Sequence, residues 1–307
     1  MSMARGQFLA RISSLIRSLK IEAVASKPLT EKAHNDVARM LRNGLAVVGF
    51  AALEDFLKSR TSEVLTDVGR THVPFRDLPE KLRFATTYEA ISALSYQLSI
   101  RAKADRMAYV QEHAQKIAST ATGAYELTPH ALGFDQANLP DDAIRSVLKS
   151  FLIDDPWREM TKLSSRVGLI ALPLEETYRS AALRRNRAAH VAHADTPQTD
   201  LVQFTKEALA IAMSFDALLS RALSRMHALD SGYLQGTTRI SAASISVRSV
   251  KQDGNVWRET TEGRATAVKL ERDLDVLVPL ARSRAANTND LLVLYEPGGE
   301  ISRWECY

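Results

Sequence analysis

The spacing of the apolar residues changes near residue 231 and divides the chain into two regions. In the first region, apolar side chains recur every three or four residues, which is the spacing of an α-helix with one buried face. One such series is Val37, Leu41, Leu45, Val48, Ala52 and Phe56. From residue 237, in TRISAASISVRSV, they alternate as in a β-strand. We therefore predict a mainly α protein: an antiparallel helical bundle in residues 1–230, with its core at about 30–226, then a small β-rich (α+β) domain in residues 231–307.

The individual elements follow from the same two periods. We expect an amphipathic N-terminal helix packed on the body, and further helices at 80–119, 141–152, 174–192 and 201–226. In the second region, a turn at KQDGN should join two strands, and GRATAVKLE should supply a third. RDLDVLVPLARSRAA predicts a helix despite Pro279, and the last two strands should form a hairpin around Pro297-Gly298-Gly299.

Composition excludes several classes of protein and favours none. No run approaches the roughly 18 apolar residues of a membrane span, and the N-terminus lacks the features of a signal peptide. The single cysteine, Cys306, permits no intramolecular disulfide, which fits a reducing cytoplasm. Neither HExxH nor EF-hand spacing occurs, so we expect neither metal nor cofactor. Residues 231–307 hold 10 basic and 10 acidic residues, so the net charge of +4 lies in the first 230.

The stretch LRRNRAAHVAH at residues 183–193 concentrates positive charge beside two histidines and contains no acidic residue. Histidine can transfer a proton near neutral pH. Arginine can hold a phosphate through parallel donors and stabilise developing negative charge. RNA supplies its own nucleophile, the 2′-hydroxyl. These residue types therefore suit cleavage of a phosphodiester bond in RNA without a metal.

Helical geometry limits what this stretch can do alone. Asn186 and Arg187 lie four and three residues before His190 and share its neighbourhood on a helix. Arg185 lies five residues before His190, about 140° around the helix, so the two flank a groove rather than touch. A solvated arginine face with a packed His190 is the alternative interpretation, and His193 has a similar alternative at a frayed helix end.

The same residues resemble a known family. Arg185 to His190, RNRAAH, matches the RNxxxH pattern of HEPN domains (higher eukaryotes and prokaryotes nucleotide-binding). ARMLRNGLAVVGFAALEDFLKS at 38–59 is similar to the early helix of the RiboL-PSP-type branch, and RNRAAHVAHADTPQTDLVQF is similar to its motif helix, loop and closing helix. The resemblance covers roughly residues 30–226.

The resemblance implies a metal-independent endoribonuclease that acts as a homodimer through its motif helices. Carried over, His190 is the acid/base, Arg185 the phosphate ligand and Asn186 the orienting residue. Glu54, Arg187 and His193 are possible supporting residues, and Glu54 is equally compatible with a surface carboxylate. RNA is the implied substrate. A toxin or phage-defence role follows, with an antitoxin or regulatory protein as a candidate partner and no membrane.

The chain departs from the family at two positions and leaves one alternative open. Some HEPN toxins carry a tyrosine two residues after the histidine, where this chain has Ala192, so neutralisation by modification of that tyrosine is in doubt. Branch members often have a glycine where Val191 stands. The alternative function is a catalytically silent HEPN module that binds RNA, nucleotide or a partner protein. The C-terminal domain resembles no family we can name.

Overall fold

The first region is helical. The computed structural model describes residues 2–135, 137–169, 172–264 and 266–307. Its α-helices up to residue 234 are α1 Met3–Ser18, α2 Lys32–Val68, α3 Glu80–Phe84, α4 Ala90–Ile100, α5 Arg106–Ser119, α6 Asp141–Ser150, α7 Pro156–Arg166, α8 Leu174–His190, α9 Gln198–His227 and α10 Ser231–Leu234. The long helices α2 and α9 pack against each other, and α1 and α8 both pack on α2. The predicted mainly α fold is confirmed.

The second region is a five-stranded sheet with one long helix. The elements are β1 Val247–Asp253, β2 Val256–Thr261, β3 Lys269–Glu271, α11 Leu274–Thr288, β4 Leu291–Tyr295 and β5 Ile301–Glu305. The strand order is β3-β2-β1-β4-β5, and all neighbours are antiparallel except the parallel pair of β1 and β4. The predicted β-rich region, its helix and its final hairpin are therefore confirmed.

Two predicted elements differ from those observed. The helix expected over 80–119 is interrupted by a π-helical turn at Ala85–Glu89 and again at Arg101, whose backbone is extended. In the π turn, the hydroxyls of Thr86 and Thr87 donate to backbone carbonyls one turn earlier, which competes with regular helix hydrogen bonding. The strand expected from residue 237 begins only at Val247, because Ser241 and Ser244 cap a short 3₁₀ turn.

The apolar series on α2 is only partly in the core. Ala52 and Phe56 are buried as expected, whereas Val37, Leu41 and Val48 are exposed. Together with Met40, which is 74% exposed, these three residues form an apolar stripe along the first half of α2. The periodicity therefore predicted the helix correctly but not which part of its apolar face the chain covers.

The sheet packs directly on the helices. Trp304 of β5 is 1% exposed, and its ring contacts Phe8 of α1 and Phe56 of α2 edge-on, with centroid distances of 6.3 and 6.2 Å. The opposite face of the sheet is covered by α11. The boundary between residues 230 and 231 stays a prediction, but both regions contribute to one apolar core.

A buried carboxylate joins the two regions. Asp216 of α9 is fully buried and accepts four hydrogen bonds. The donors are Arg5 Nε at 2.7 Å, Arg60 Nε at 2.6 Å, Trp304 Nε1 at 2.7 Å and Ser220 Oγ at 3.1 Å. Burial alone would raise the pKa of Asp216, but the two guanidinium groups hold it well below its usual range. Asp216 is therefore a charged group shared by α1, α2, α9 and β5.

Candidate active site

The predicted motif lies at the end of helix α8. Pro173 precedes the helix, and Glu175 and Glu176 in its first turn complement the helix dipole. Tyr178 and Ala181 bury one face of the first half against the body. The motif residues follow in the second half of the helix, which ends at His190. The fold therefore presents the motif at a helix end, next to the loop that leads into α9.

Arg185 is half-buried and pairs with no carboxylate among the residues described. Its Nη1 donates to Asn186 Oδ1 at 2.9 Å and its Nη2 to Asn138 Oδ1 at 3.2 Å. Its Nε is shielded from solvent and lacks an acceptor in the described part of the chain. The neighbouring Arg184, by contrast, is neutralised by Glu207 at 2.6 Å. The positive charge of Arg185 is thus available to an anion, while that of Arg184 is not.

The two histidines of the motif stretch are exposed. His190 is the last residue of α8, and His193 lies in the loop that follows. Neither ring has a hydrogen-bond partner within residues 2–135, 137–169, 172–264 and 266–307, and exposed Arg187 also has none there. The alternative of a packed His190 is therefore wrong: the structure places its imidazole in solvent, where it can reach a ligand.

The loop after His190 is fastened to α2 by two consecutive residues. Arg42, which is 3% exposed, donates through Nε to the carbonyl of Thr196 at 2.9 Å and through Nη2 to Asp195 at 2.6 Å. Asn43 donates to the carbonyl of Ala194 at 2.7 Å and accepts from both the backbone and the hydroxyl of Thr196. We call these two side chains the loop clamp. It fixes the backbone that follows the motif.

Glu54, Arg185 and Asn186 line a common groove with a volume of about 550 Å³. Glu54 is 8% exposed, so it is not the surface carboxylate that the sequence also allowed. Its Oε1 accepts the backbone N–H of Leu139 at 2.7 Å. His190, Arg187 and His193 do not line the groove. Within one chain, the structure therefore places Arg185 and Glu54 at a common groove to which His190 does not contribute.

Tyr178 closes the floor of this groove. Its hydroxyl donates to the carbonyl of Leu139 at 2.5 Å, so Tyr178 and Glu54 hold both backbone polar groups of Leu139. Burial raises the pKa of Tyr178 well above its usual range, with a further contribution from the nearby carboxylates of Glu54 and Asp141. The hydroxyl therefore remains a donor at any physiological pH, and the segment around Leu139 is held in place beside Arg185.

Sequence reasoning missed the residues that position the motif. Arg42 and Asn43 stand in the quoted early helix, and their Arg-Asn pair repeats that of the motif, which is the one signal that could have drawn attention to them. Asn138 and Tyr178 carry no such signal, because their contacts with Arg185 and Leu139 depend on the folding of distant segments.

The structure and the comparisons assign no cofactor and no family. In the part of the chain that the structure describes, no group of three or more His, Cys, Asp or Glu side chains could hold a metal ion. None of the helices among those residues combines the length and apolar character needed to cross a bilayer. No protein-family model, curated protein or solved structure matches the chain at a significant level.

Proposed function

We propose that this protein is a metal-independent endoribonuclease, with Arg185, Asn186 and His190 as its catalytic residues. The main support for the proposal is the ion pairing and exposure of the charged and titratable side chains in the motif. Arg185 has no carboxylate partner among the described residues and His190 is exposed at the helix end, while Arg184 beside them is neutralised by Glu207. Groups left available in this way suit a phosphate ligand.

The reaction is attack of a ribose 2′-hydroxyl on the adjacent phosphorus. The O2′–P bond forms as the P–O5′ bond breaks, which yields a 2′,3′-cyclic phosphate and a 5′-hydroxyl. An imidazole of His190 takes the proton from the 2′-hydroxyl, and a protonated imidazole supplies one to the leaving 5′-oxygen. Arg185 stabilises the charge that develops on the phosphoryl oxygens. Asn186 orients the guanidinium of Arg185, which donates to its Oδ1. No step requires a metal ion.

As part of the same proposal, we infer that the active site is complete only in a homodimer. Arg185 faces the groove beside Glu54, and His190 does not line it, so one chain offers one half of the chemistry on each side. The apolar stripe of α2, including exposed Leu41 and Val48, flanks the loop clamp next to the His190 loop. A second copy of this chain packed on the stripe would bury it and bring the two motif helices together about a two-fold axis.

Cleavage of RNA in excess chelator tests the chemistry. We expect the purified protein to cleave RNA in EDTA and to leave 2′,3′-cyclic or 3′-phosphate ends. His190→Ala should lower the rate about 100-fold or more. His227→Ala, an exposed histidine at the end of α9, is the matched control and should keep full activity. Cleavage that is lost in EDTA and restored by magnesium contradicts the mechanism.

Mixed dimers test the composite site. Arg185→Ala and His190→Ala should each be inactive as homodimers. A heterodimer of the two, isolated through different tags, keeps one intact Arg185 opposite one intact His190, so part of the activity should return. A fully active protein that is strictly monomeric in light scattering at the assay concentration would exclude the composite site.

A catalytically silent module that binds RNA, nucleotide or a partner protein is the second candidate. It is favoured by the groove, which holds Arg185 and Glu54 but no histidine within one chain. Tight binding of RNA without any cleavage would select it. The toxin or phage-defence role belongs to the first candidate, and so do a cytoplasmic location and an antitoxin partner. Expression in cells should then arrest growth, and His190→Ala should relieve the arrest.

A further inference from the structure

Glu54, the buried carboxylate of the groove beside Arg185, has only one of its two oxygens in a hydrogen bond within the described part of the chain. Glu54 Oε1 accepts from Leu139, but Oε2 has no donor in the described part of the chain, and no Lys, Arg or His of that part forms an ion pair with Glu54. Glu54 is 8% exposed, and Lys58, one turn further along α2, interacts with it electrostatically, but Oε2 still has room for a hydrogen-bond donor. Because Glu54 lines the groove, the missing donor can come from a ligand there.

The rest of the groove sets the shape and the other contacts of such a ligand. Ala182 and Leu183 of α8 give it an apolar wall, and Leu183 is 69% exposed. Asn138 uses its Oδ1 to accept from Arg185, so its side-chain N–H₂ has no partner among the described residues and can donate. The groove thus offers an acceptor at Glu54, a donor at Asn138, an apolar wall, and a guanidinium at its edge.

We propose that this groove binds one nucleobase of the RNA, a base with an exocyclic amino group, next to the phosphate held by Arg185. The amino group donates to Glu54 Oε2, the amide of Asn138 donates to a ring nitrogen or carbonyl of the base, and Leu183 covers its face. Adenine, cytosine and guanine have such an amino group and uracil does not. Recognition of unstacked bases by hydrogen bonds to their edges is the usual source of sequence preference in RNA binding. This inference rests on the proposed function, and it specifies which RNA bases the ribonuclease would prefer at its cleavage sites.

Nucleotide binding to the full-length His190→Ala protein tests the groove without cleavage. The ligands are AMP, CMP, GMP and UMP. Their binding is monitored by the NMR signals of the Asn138 and Asn186 side-chain amides and of the Leu139 backbone amide. We expect saturable shifts at these groups, and dissociation constants about tenfold higher for UMP than for the other three nucleotides. Equal binding of all four nucleotides, or shifts elsewhere only, overturns the proposal.

Variants separate recognition from folding. Glu54→Gln keeps the shape and removes the charge, and it should abolish most of the preference against UMP. Asn138 lies at an exposed loop position, so Asn138→Ala should fold even if Glu54→Gln does not. It should weaken the binding of all four nucleotides. The matched control is Glu176→Gln, because Glu176 is an exposed glutamate of α8 that does not line the groove. This variant should bind nucleotides as His190→Ala alone does.

The cleavage readout keeps this proposal distinct from the proposed function. In the active protein, Glu54→Gln should lose base preference at the cut sites. RNA cleavage without base preference, with no nucleotide at the groove, overturns the base site and leaves the ribonuclease standing. Selective nucleotide binding without any cleavage supports the groove and rejects the ribonuclease.

Discussion

At the scale of single residues, Asp216 pairs with two buried cations. It accepts from Arg5 and Arg60, which are each 6% exposed. Arg5 forms no other ion pair among the described residues, whereas Arg60 also pairs with Glu63 at 3.2 Å. Asp216→Asn keeps the size but leaves Arg5 without a counter-charge and Arg60 with Glu63 alone. We expect the free energy of unfolding to fall by about 3–5 kcal/mol, measured by urea denaturation.

Asp253→Asn is the control for this change. Asp253 is an exposed residue of β1, 3.4 Å from Arg258, and surface substitutions of this kind typically change stability by less than about 0.5 kcal/mol. If Asp216→Asn proves no more harmful than Asp253→Asn, the buried arginines have other compensation and the assigned role of Asp216 is incorrect.

His130 provides a pH-dependent contribution to stability. Burial lowers its pKa from 6.5 to about 4, and the positive potential from His113, Arg101 and Lys116 adds to this, while Glu112 opposes it. Because the folded protein binds this proton less readily than the unfolded chain, the contribution is complete above pH 6.5 and is lost as pH falls from 6.5 towards 4. NMR titration should give His130 a pKa near 4, and urea denaturation at pH 7 and pH 5 should show lower stability at pH 5.

His130→Gln removes the titrating ring and should reduce this difference between pH 7 and pH 5. His72→Gln, at an exposed position, should leave the difference as it is in the unchanged protein. A His130 ring that titrates near 6.5 would show that it is not held in its neutral form.

At the scale of elements, the loop clamp connects α2 to the end of the motif helix. Asn43 holds Ala194 and Thr196 through three hydrogen bonds, so it is a positioning residue for His190 rather than a catalytic one. If the proposed function holds, Asn43→Ala should lower kcat about tenfold with little change in KM, because misplaced groups react slowly even when the substrate is bound. The NMR signals of the His190 ring should broaden or shift.

Asn35→Ala is the matched control for the loop clamp. Asn35 lies on the same helix and holds the backbone of Lys27 and Pro28 instead of the loop after His190. Its loss should leave kcat unchanged. Equal losses of kcat in both variants would indicate a general effect on α2, not positioning of the motif.

Much of the element pattern could be predicted, and the failures have physical causes. Periodicity located α2, α8 and α9 because each buries apolar residues at helical spacing over at least part of its length. It did not show the break at Arg101, whose guanidinium lies 3.7 Å from the ring centre of Tyr109, a contact that forms only after the chain turns back. The spacing within the motif also predicted that Arg185 and His190 diverge. The closeness of Glu54, Asn138 and Arg185 could not be predicted, because it depends on segments far apart in sequence.

At the scale of the whole molecule, the shared core predicts that the helices and the sheet unfold together. Trp304→Ala removes a fully buried indole from contact with Phe8 and Phe56 and takes a donor from Asp216. We expect a loss of about 3–5 kcal/mol, and helix content and tyrosine fluorescence should still report one common transition. A fragment of residues 1–230 would expose this part of the core and should be much less stable than the full chain.

Two separate transitions in the full chain, or a 1–230 fragment as stable as the helices of the full chain, would show that the sheet is an independent unit. The control is Trp257→Ala, on β2 away from the helical core, where the ring is only half-buried and packs towards α11. It should cost less stability than Trp304→Ala and leave the single common transition in place.

The arrangement around Asp216 also sets the order of events during synthesis. Its partners Arg5 and Trp304 lie 211 and 88 residues away along the chain, so the cluster closes only when β5 has left the ribosome. At about 5–20 residues per second, the 88 residues after Asp216 take several seconds to translate. During that interval Asp216 lacks the hydrogen-bond donor and the packing that Trp304 supplies in the folded chain. A nascent chain should therefore stay loosely assembled in this region until β5 has been synthesised.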